Sequence, residues 1–150
     1  MRLKGSCHCG AVRFSLESET PYPYMHCYCS ICRKTAGGGG YAINIMGKAQ
    51  TMKVKGRTRV YRAMRGGAQR HFCPKCGSAL WVWDRRWPEW IYPFASAIDT
   101  KLPAPKERQH VMLDSKASWV PVPKGRAEKR FPEYPKEAII DWHRARGLLR

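Results

Sequence analysis

The sequence predicts a mostly β domain that ends in one short helix. Three observations predict this class: segments in which apolar and polar residues alternate, glycines and prolines that separate these segments, and a single stretch of helical spacing near the C-terminus. The chain has 150 residues, of which 43% are hydrophobic. That is ordinary for one core, so we expect residues 1–150 to form a single domain.

The strand predictions lie mainly in the first two thirds of the chain. Residues 11–17 alternate, with Val12, Phe14 and Leu16 on one side of a half-buried strand. Further strands are predicted at 41–46, 52–54, 57–63 and 79–84. Prolines interrupt the extended segment 87–98, which favours an edge or irregular strand. Residues 37–40 are four glycines and predict a flexible loop.

The last third is predicted to be irregular until its end. Prolines are frequent and no period persists in residues 101–135, which favours an arm lying over the body of the domain. A terminal helix is expected at 136–146, with Pro135 in its first turn and Gly147 at its stop. Its docking face would contain Ile139, Trp142 and Ala145.

Seven cysteines form the most informative pattern of the chain, because they fall into three tight clusters. The clusters are Cys7 and Cys9, then Cys27, Cys29 and Cys32, then Cys73 and Cys76. Such spacing is typical of zinc ligands, since a closed tetrahedral site needs four soft donors that short loops usually supply in pairs.

The three clusters differ in what they predict. The segment from Cys73 to Gly77 has the form of a zinc knuckle, in which the glycine allows a positive φ. The C-x-C pair of Cys7 and Cys9 is a weaker signal whose meaning depends on its partner. The middle cluster offers three thiolates, one fewer than a closed site needs. It therefore leaves a position for water or substrate and is a candidate for chemistry.

Two other uses of cysteine are open. A disulfide framework is disfavoured because the count is odd and the N-terminus carries no apolar signal segment, which predicts a cytosolic, reduced protein. A redox dithiol is compatible with the two C-x-x-C pairs, but neither lies in a thioredoxin-like strand and helix unit. No stretch reaches the roughly 18 apolar residues of a membrane span, so no membrane is expected.

The charge supports a competing function. The formal net charge is +17, from 28 Lys and Arg against 11 Asp and Glu. A field of this sign attracts anions, which include nucleic acids and small carboxylate substrates. The alternative to an enzyme is therefore a zinc-stabilised basic module that binds nucleic acid without catalysis.

Three stretches together resemble one family. Residues 5–14, 26–34 and 72–78, read as GSCHCGAVRF, HCYCSICRK and FCPKCGS, resemble the glutathione-dependent formaldehyde-activating enzyme family, which also includes centromere protein V. The resemblance implies twisted β-sheets around two zinc sites. It also implies a carbon–sulfur lyase type of reaction, in which a thiol such as glutathione adds to formaldehyde.

The resemblance also implies the site residues. Its structural zinc would be held by Cys7, Cys9, Cys73 and Cys76. Its catalytic zinc would be held by Cys27, Cys29 and Cys32, and this ion is expected to be partly occupied because it lacks a fourth protein donor. Arg33 and Lys34 follow the last ligand and are expected to offset the thiolate charge or to bind a substrate carboxylate. From its place between two ligands, His8 is expected to point away from the metal, and His26 is expected to be either a packed ring or a hydrogen-bond donor to a ligand.

Overall fold

The computed structural model describes residues 1–36 and 38–150, so Gly37 of the predicted glycine loop lies outside the described residues. Strands dominate this part of the chain, which confirms the mostly β class. In chain order the elements are β1 (Arg2–Ser6), β2 (Arg13–Glu17), β3 (Met25–Cys27), α1 (Ser30–Ala36), β4 (Ala42–Ile43), β5 (Gly47–Lys48), β6 (Lys53–Lys55), β7 (Arg59–Tyr61), β8 (Gln69–Phe72), β9 (Ala79–Trp83), β10 (Trp90–Pro93), β11 (Arg108–Val111), β12 (Glu128–Arg130) and α2 (Ile139–Ala145).

The strands form three sheets. The first has the order β1-β2-β6, the second β5-β10-β9-β8-β7 and the third β12-β11-β3-β4. Every pair in the first two sheets is antiparallel. In the third sheet β11 runs parallel to both β3 and β12. Neither α-helix within the described ranges has the length and apolar composition needed to cross a bilayer.

The main core lies between the first two sheets. Leu16 is buried on β2, as the alternation of residues 11–17 predicts, and Leu3 on β1 and Leu80 on β9 are buried with it. Phe14 meets Trp81 edge to face, with ring centroids 5.2 Å apart. Aromatic pairs favour this geometry because the edge of one ring is positive and the face of the other is negative.

Of the two alternatives predicted for 87–98, the edge strand is wrong, and regular strand structure is confined to Trp90–Pro93. Strand β10 is an inner strand, paired with β9 on one side and β5 on the other. Pro93 is tolerated because it is the last residue of the strand, beyond the two residues that pair with β5. Its carbonyl still accepts a hydrogen bond from the N–H of Ile45, at 2.8 Å.

The segment 101–135 contains two strands, where the sequence predicted none. Strand β11 is enclosed between β3 and β12, and three successive residues, Gln109, His110 and Val111, are buried. A parallel strand that is covered on both faces has no polar side and therefore shows no alternation. Enclosure thus explains why β11 shows no period, whereas most of the segment outside β11 and β12 is irregular, as predicted.

The terminal helix is shorter than predicted. It begins at Ile139, so Pro135 lies outside it, and it ends at Ala145 with Gly147 at φ +63°. Trp142 is buried and stacks on Tyr24 with centroids 3.6 Å apart. Ala145 is exposed, and His143 takes its place in the docking face because its ring packs against Tyr24 at 5.4 Å.

Candidate metal centres

Four sulfur atoms meet where a loop of the first sheet approaches a loop of the second sheet. Cys7 and Cys9 lie in the loop between β1 and β2, and Cys73 and Cys76 in the loop between β8 and β9. The Sγ atoms of all four lie within 4.8 Å of one another. The structure therefore brings together the two pairs that the resemblance implied.

The two loops have the same backbone design. In the first, Gly10 has φ +73° and its N–H donates to the carbonyl of Cys7 at 3.0 Å. In the second, Gly77 has φ +74° and its N–H donates to the carbonyl of Cys73 at 2.9 Å. Glycine adopts this left-handed conformation without steric cost, and the tight turn directs both thiols of a loop to one side.

The sulfur distances fit a tetrahedral ion. Cys9 Sγ lies 3.6 Å from Cys7 Sγ and 3.8 Å from Cys73 Sγ. A tetrahedron of Zn–S bonds of about 2.3 Å places its sulfur atoms about 3.8 Å apart. All seven cysteines of the chain are free thiols, so none of these donors is consumed by a disulfide. The set can hold a metal ion with four soft donors.

Three further sulfur atoms meet between β3 and α1. Cys27 is the last residue of β3, Cys32 lies in the first turn of α1, and Cys29 lies between the two elements. Their Sγ atoms also lie within 4.8 Å of one another. Cys29 Sγ accepts the N–H of Cys32 at 3.3 Å, so the sulfur satisfies one of the donors that a helix start leaves unpaired.

The ionisation of this three-sulfur cluster is unequal. Hydrogen bonds from the Cys27 and Cys32 thiols lower the pKa of Cys29 to about 2. Contacts with the Cys27 and Cys29 thiols, together with burial, raise the pKa of Cys32 far above its ordinary value. One thiolate therefore forms readily, whereas a second negative charge beside it needs a cation. A donor set of this kind fits a divalent metal ion.

A buried hydrogen-bond network supports the backbone of the three-sulfur cluster. Tyr28 lies between two of the cysteines, and its hydroxyl is 2.8 Å from His110 Nδ1. His110 Nε2 is 2.8 Å from Glu128, which Arg108 also contacts. Arg108 first, and then His110, lower the pKa of Glu128 to about 2, so this group is a carboxylate. The network anchors the cluster to β11 and β12.

The three-sulfur cluster opens into a cavity of about 430 Å³. Two polar side chains in the cavity wall reach the sulfur atoms. The hydroxyl of Tyr134 lies 3.1 Å from Cys27 Sγ, and the guanidinium of Arg70 donates to Cys32 Sγ at 3.8 and 3.9 Å. The residues that line the cavity are Met25, Cys27, Cys32, Asn44, Ala68, Arg70, Val82, Asp84, Arg86, Trp87, Tyr92, Tyr134 and Ile139.

A charged pair forms part of the same wall. Asp84 is buried, and it accepts two hydrogen bonds from the Arg86 guanidinium, at 2.6 and 3.0 Å, and one from the Arg86 backbone N–H at 2.9 Å. The Arg86 guanidinium holds the pKa of Asp84 below its ordinary value. Arg86 also lies over the ring of Trp87, 4.7 Å from its centroid. The cavity thus combines apolar walls with fixed charges, which is typical of small-molecule sites.

The other residues that the sequence singled out lie outside this cavity. Arg33 and Lys34 are on α1; Arg33 is half-buried, Lys34 is exposed, and neither is among the described residues that line the cavity. His8 is exposed. His26 stacks on Tyr41 with centroids 4.5 Å apart, and burial lowers its pKa to about 4. The ring of His26 is therefore neutral at physiological pH.

Sequence reasoning missed Arg70 and Tyr134. Arg70 lies three residues before Cys73, on β8, where the sequence predicted no strand. Tyr134 lies in the proline-rich segment, where no period was visible. A side chain that reaches a site across 107 residues of chain, as Tyr134 does to Cys27, leaves no local signal in the sequence.

Fold and sites together define a class: a small, mostly β protein with two cysteine clusters that can each hold a metal ion, one of four thiols and one of three beside a cavity. A sequence model of the glutathione-dependent formaldehyde-activating enzyme family matches residues 2–114. The chain belongs to this family.

Two relatives extend the comparison. A protein of Halomonas elongata named "Putative glutathione-dependent formaldehyde-activating enzyme" is 55% identical over 154 aligned positions, which cover 99% of this chain and 98% of that protein. The crystal structure of a Rhodobacter sphaeroides protein, a structural genomics target, matches with a TM-score of 0.56 and 27% identity. The match covers 67% of this chain and 91% of the Rhodobacter sphaeroides protein.

Proposed function

We propose that the protein is a zinc-dependent enzyme of the carbon–sulfur lyase type, which adds a small thiol to a small aldehyde and catalyses the reverse cleavage. Glutathione and formaldehyde are the substrates that the family name indicates. The observation that carries the proposal is the contrast between the two clusters. One has four thiols, and the other has three thiols and borders a cavity of about 430 Å³.

One cluster would hold a structural metal ion and the other a catalytic one. Cys7, Cys9, Cys73 and Cys76 would hold a structural zinc, and Cys27, Cys29 and Cys32 would hold the catalytic one. A zinc ion bound by three cysteines would lower the pKa of a thiol that reaches it and polarise an aldehyde oxygen. Because this set lacks a fourth protein donor, we expect it to lose its ion more readily than the four-sulfur set.

The reaction balances without an oxidant or reductant. The sulfur of the thiol forms a bond to the carbonyl carbon, the C=O double bond becomes a single bond, and the proton of the thiol ends on the oxygen. The product is an S-hydroxymethyl thiol. The rate of formation of S-hydroxymethylglutathione, measured by exchange NMR, should exceed the spontaneous rate, and an unchanged rate would contradict the proposal.

The side chains around the cluster would orient the reagents. Arg70 would offset part of the negative charge of the three thiolates and direct a substrate carboxylate into the cavity, since guanidinium groups pair with carboxylates in fixed geometry. Tyr134 would donate a hydrogen bond to Cys27 and reduce the charge on that sulfur. Trp87 and Tyr92 would exclude water from one wall. The roles of Arg33 and Lys34 remain a prediction.

Arg70→Gln is expected to raise the KM for glutathione by at least about tenfold, because a charge-assisted hydrogen bond is worth roughly 1.5–3 kcal/mol. Steady-state kinetics with varied glutathione would measure this. The control is the double variant Arg33→Gln and Lys34→Gln, which removes two cations from α1 outside the cavity wall. A larger rise of KM in the control than in Arg70→Gln would mean that the α1 cations, rather than Arg70, bind the substrate carboxylate.

Tyr134→Phe is expected to lower kcat by roughly tenfold with little change in KM, because it removes one hydrogen bond to a charged sulfur and leaves the ring in place. In cobalt-substituted protein, the thiolate-to-cobalt absorption band should also shift, since the electron density on Cys27 increases. Tyr61→Phe, at an exposed tyrosine of β7, is the control and should change neither quantity. An unchanged band in Tyr134→Phe would show that Tyr134 does not donate a hydrogen bond to the metal-bound Cys27 sulfur.

A further inference from the structure

The outer face of the first sheet carries a set of basic residues that the cysteine clusters do not use. The strand register aligns Ser6 with Arg13 and Lys4 with Ser15 between β1 and β2, and it aligns Arg13 with Lys55 and Ser15 with Lys53 between β2 and β6. Directly opposed residues of an antiparallel pair point to the same face. Leu3, Phe14 and Leu16 point the other way, into the core.

The outer face is therefore almost entirely cationic. It presents five cations, which we call the basic face: Arg2, Lys4, Arg13, Lys53 and Lys55. All five residues are exposed. The one acidic residue on this face is Glu17, opposite Arg2 at the end of the sheet. Within residues 1–36 and 38–150, none of the five side chains forms an ion pair.

This arrangement costs stability in the isolated protein. Arg13 and Lys55 are directly opposed across two neighbouring strands. Like charges in such positions repel, because their Cβ atoms are only about 5 Å apart. Lys53 and Lys55 lie two residues apart on the same edge strand, all of whose residues are exposed. A bound polyanion would relieve this repulsion.

We propose that the basic face binds the phosphate backbone of nucleic acid without sequence preference. Cations two residues apart on a strand are roughly 7 Å apart, and neighbouring strands are about 4.8 Å apart. Phosphates along one strand of a duplex recur about every 3.4 Å of axis. Two cations on one β-strand, such as Lys53 and Lys55, therefore span about two phosphates. The face carries no aromatic side chain that could stack on bases, so contacts are limited to the backbone.

The chemistry of the face favours nucleic acid over a membrane. Besides the five cations, its residues are Ser6, Ser15 and Glu17. An anionic membrane surface holds proteins best when apolar side chains enter the interface together with the cations, and this face offers none among its described residues. None of the five cations lines the cavity beside the three-sulfur cluster, so the inference is independent of the proposed enzyme activity.

The test is the salt dependence of binding to a fluorescein-labelled 20-base-pair DNA of random sequence, followed by anisotropy. If each of the five cations neutralises one phosphate, the logarithm of affinity should fall with the logarithm of salt with a slope of about −4.5. The double variant Lys53→Gln and Lys55→Gln should reduce the slope to about −2.7 and weaken binding at every salt concentration. Its enzyme activity should be unchanged.

The control separates this face from the net charge. Lys124→Gln and Arg126→Gln remove two exposed cations from another segment, so both double variants carry a formal charge of +15 instead of +17. The control should retain the wild-type slope. An equal loss in both variants would overturn the proposal, because binding would then follow net charge alone.

Two further outcomes would also overturn it. One is an absence of DNA binding by the wild-type protein at 50 mM salt. The other is binding to vesicles of phosphatidylserine and phosphatidylcholine with no binding to DNA, which would assign the face to a membrane surface. Thermal unfolding of each variant would establish that the sheet is intact.

Discussion

Cys76→Ser is expected to unfold the protein or to lower its melting temperature by roughly 10–20 °C, the largest effect on stability that we predict. Cys76 is exposed, so its sulfur contributes little by packing. Its loss acts mainly through the metal, because the free energy of binding a structural ion is part of the free energy of folding. Losing several kcal/mol is severe for a domain whose total stability is about 5–15 kcal/mol.

Two measurements on purified protein would check this expectation. Circular dichroism would follow thermal unfolding, and elemental analysis would count zinc. We expect the wild-type protein to retain one zinc per chain after mild dialysis, even where the three-sulfur cluster has lost its ion, and the Cys76→Ser protein to lose that retained ion. A variant with unchanged melting temperature and zinc content would show that the four-sulfur set does not hold a structural ion.

The four-sulfur set was accessible from sequence because each of its halves is local. A pair of cysteines followed by a glycine in a tight turn determines its own backbone, as the positive φ of Gly10 and Gly77 shows. Which pair joins which is a tertiary property. Spacing alone left the partner of Cys7 and Cys9 open, and only the family resemblance paired them with Cys73 and Cys76.

The walls of the cavity could not be predicted, since they come from distant parts of the chain. Arg70 reaches Cys32 across 38 residues, and Tyr134 reaches Cys27 across 107. Arg33 and Lys34 were chosen for their proximity in sequence to the last cysteine. On a helix, however, the residues that follow Cys32 turn away from its face, because successive side chains are about 100° apart. Neither residue lines the cavity, and their roles stay a prediction.

The third sheet shows a similar limit. Strand β11 was missed because enclosure on both faces removes alternation, and its partner β12 has three polar residues, Glu128, Lys129 and Arg130. These strands nevertheless hold His110 and Glu128 behind the three-sulfur cluster. The segment that appeared irregular in sequence is thus a structural support of the candidate site.

Cys29→Ser is expected to reduce the turnover of glutathione and formaldehyde by at least about a hundredfold while the fold is retained. Changes to groups that only support a metal ligand typically cost 10–100-fold in metal affinity or activity, so loss of a ligand should cost at least as much. Cys29 is only half-buried and lies in the three-sulfur cluster, whose ion is not expected to be tied to folding. Exchange NMR and circular dichroism on the same sample would measure both properties.

Cys29→Ser and Cys76→Ser can be compared directly, because each variant replaces one sulfur atom by oxygen and only the cluster differs. If the clusters have different roles, Cys29→Ser lowers turnover and leaves the melting temperature unchanged. Cys76→Ser lowers the melting temperature, and its turnover falls only because the fold is lost. Zinc content should fall by up to one ion per chain in each, relative to a fully loaded wild-type protein. Variants that lose stability and turnover to the same degree would mean that both clusters are structural, and the reaction would then need another site.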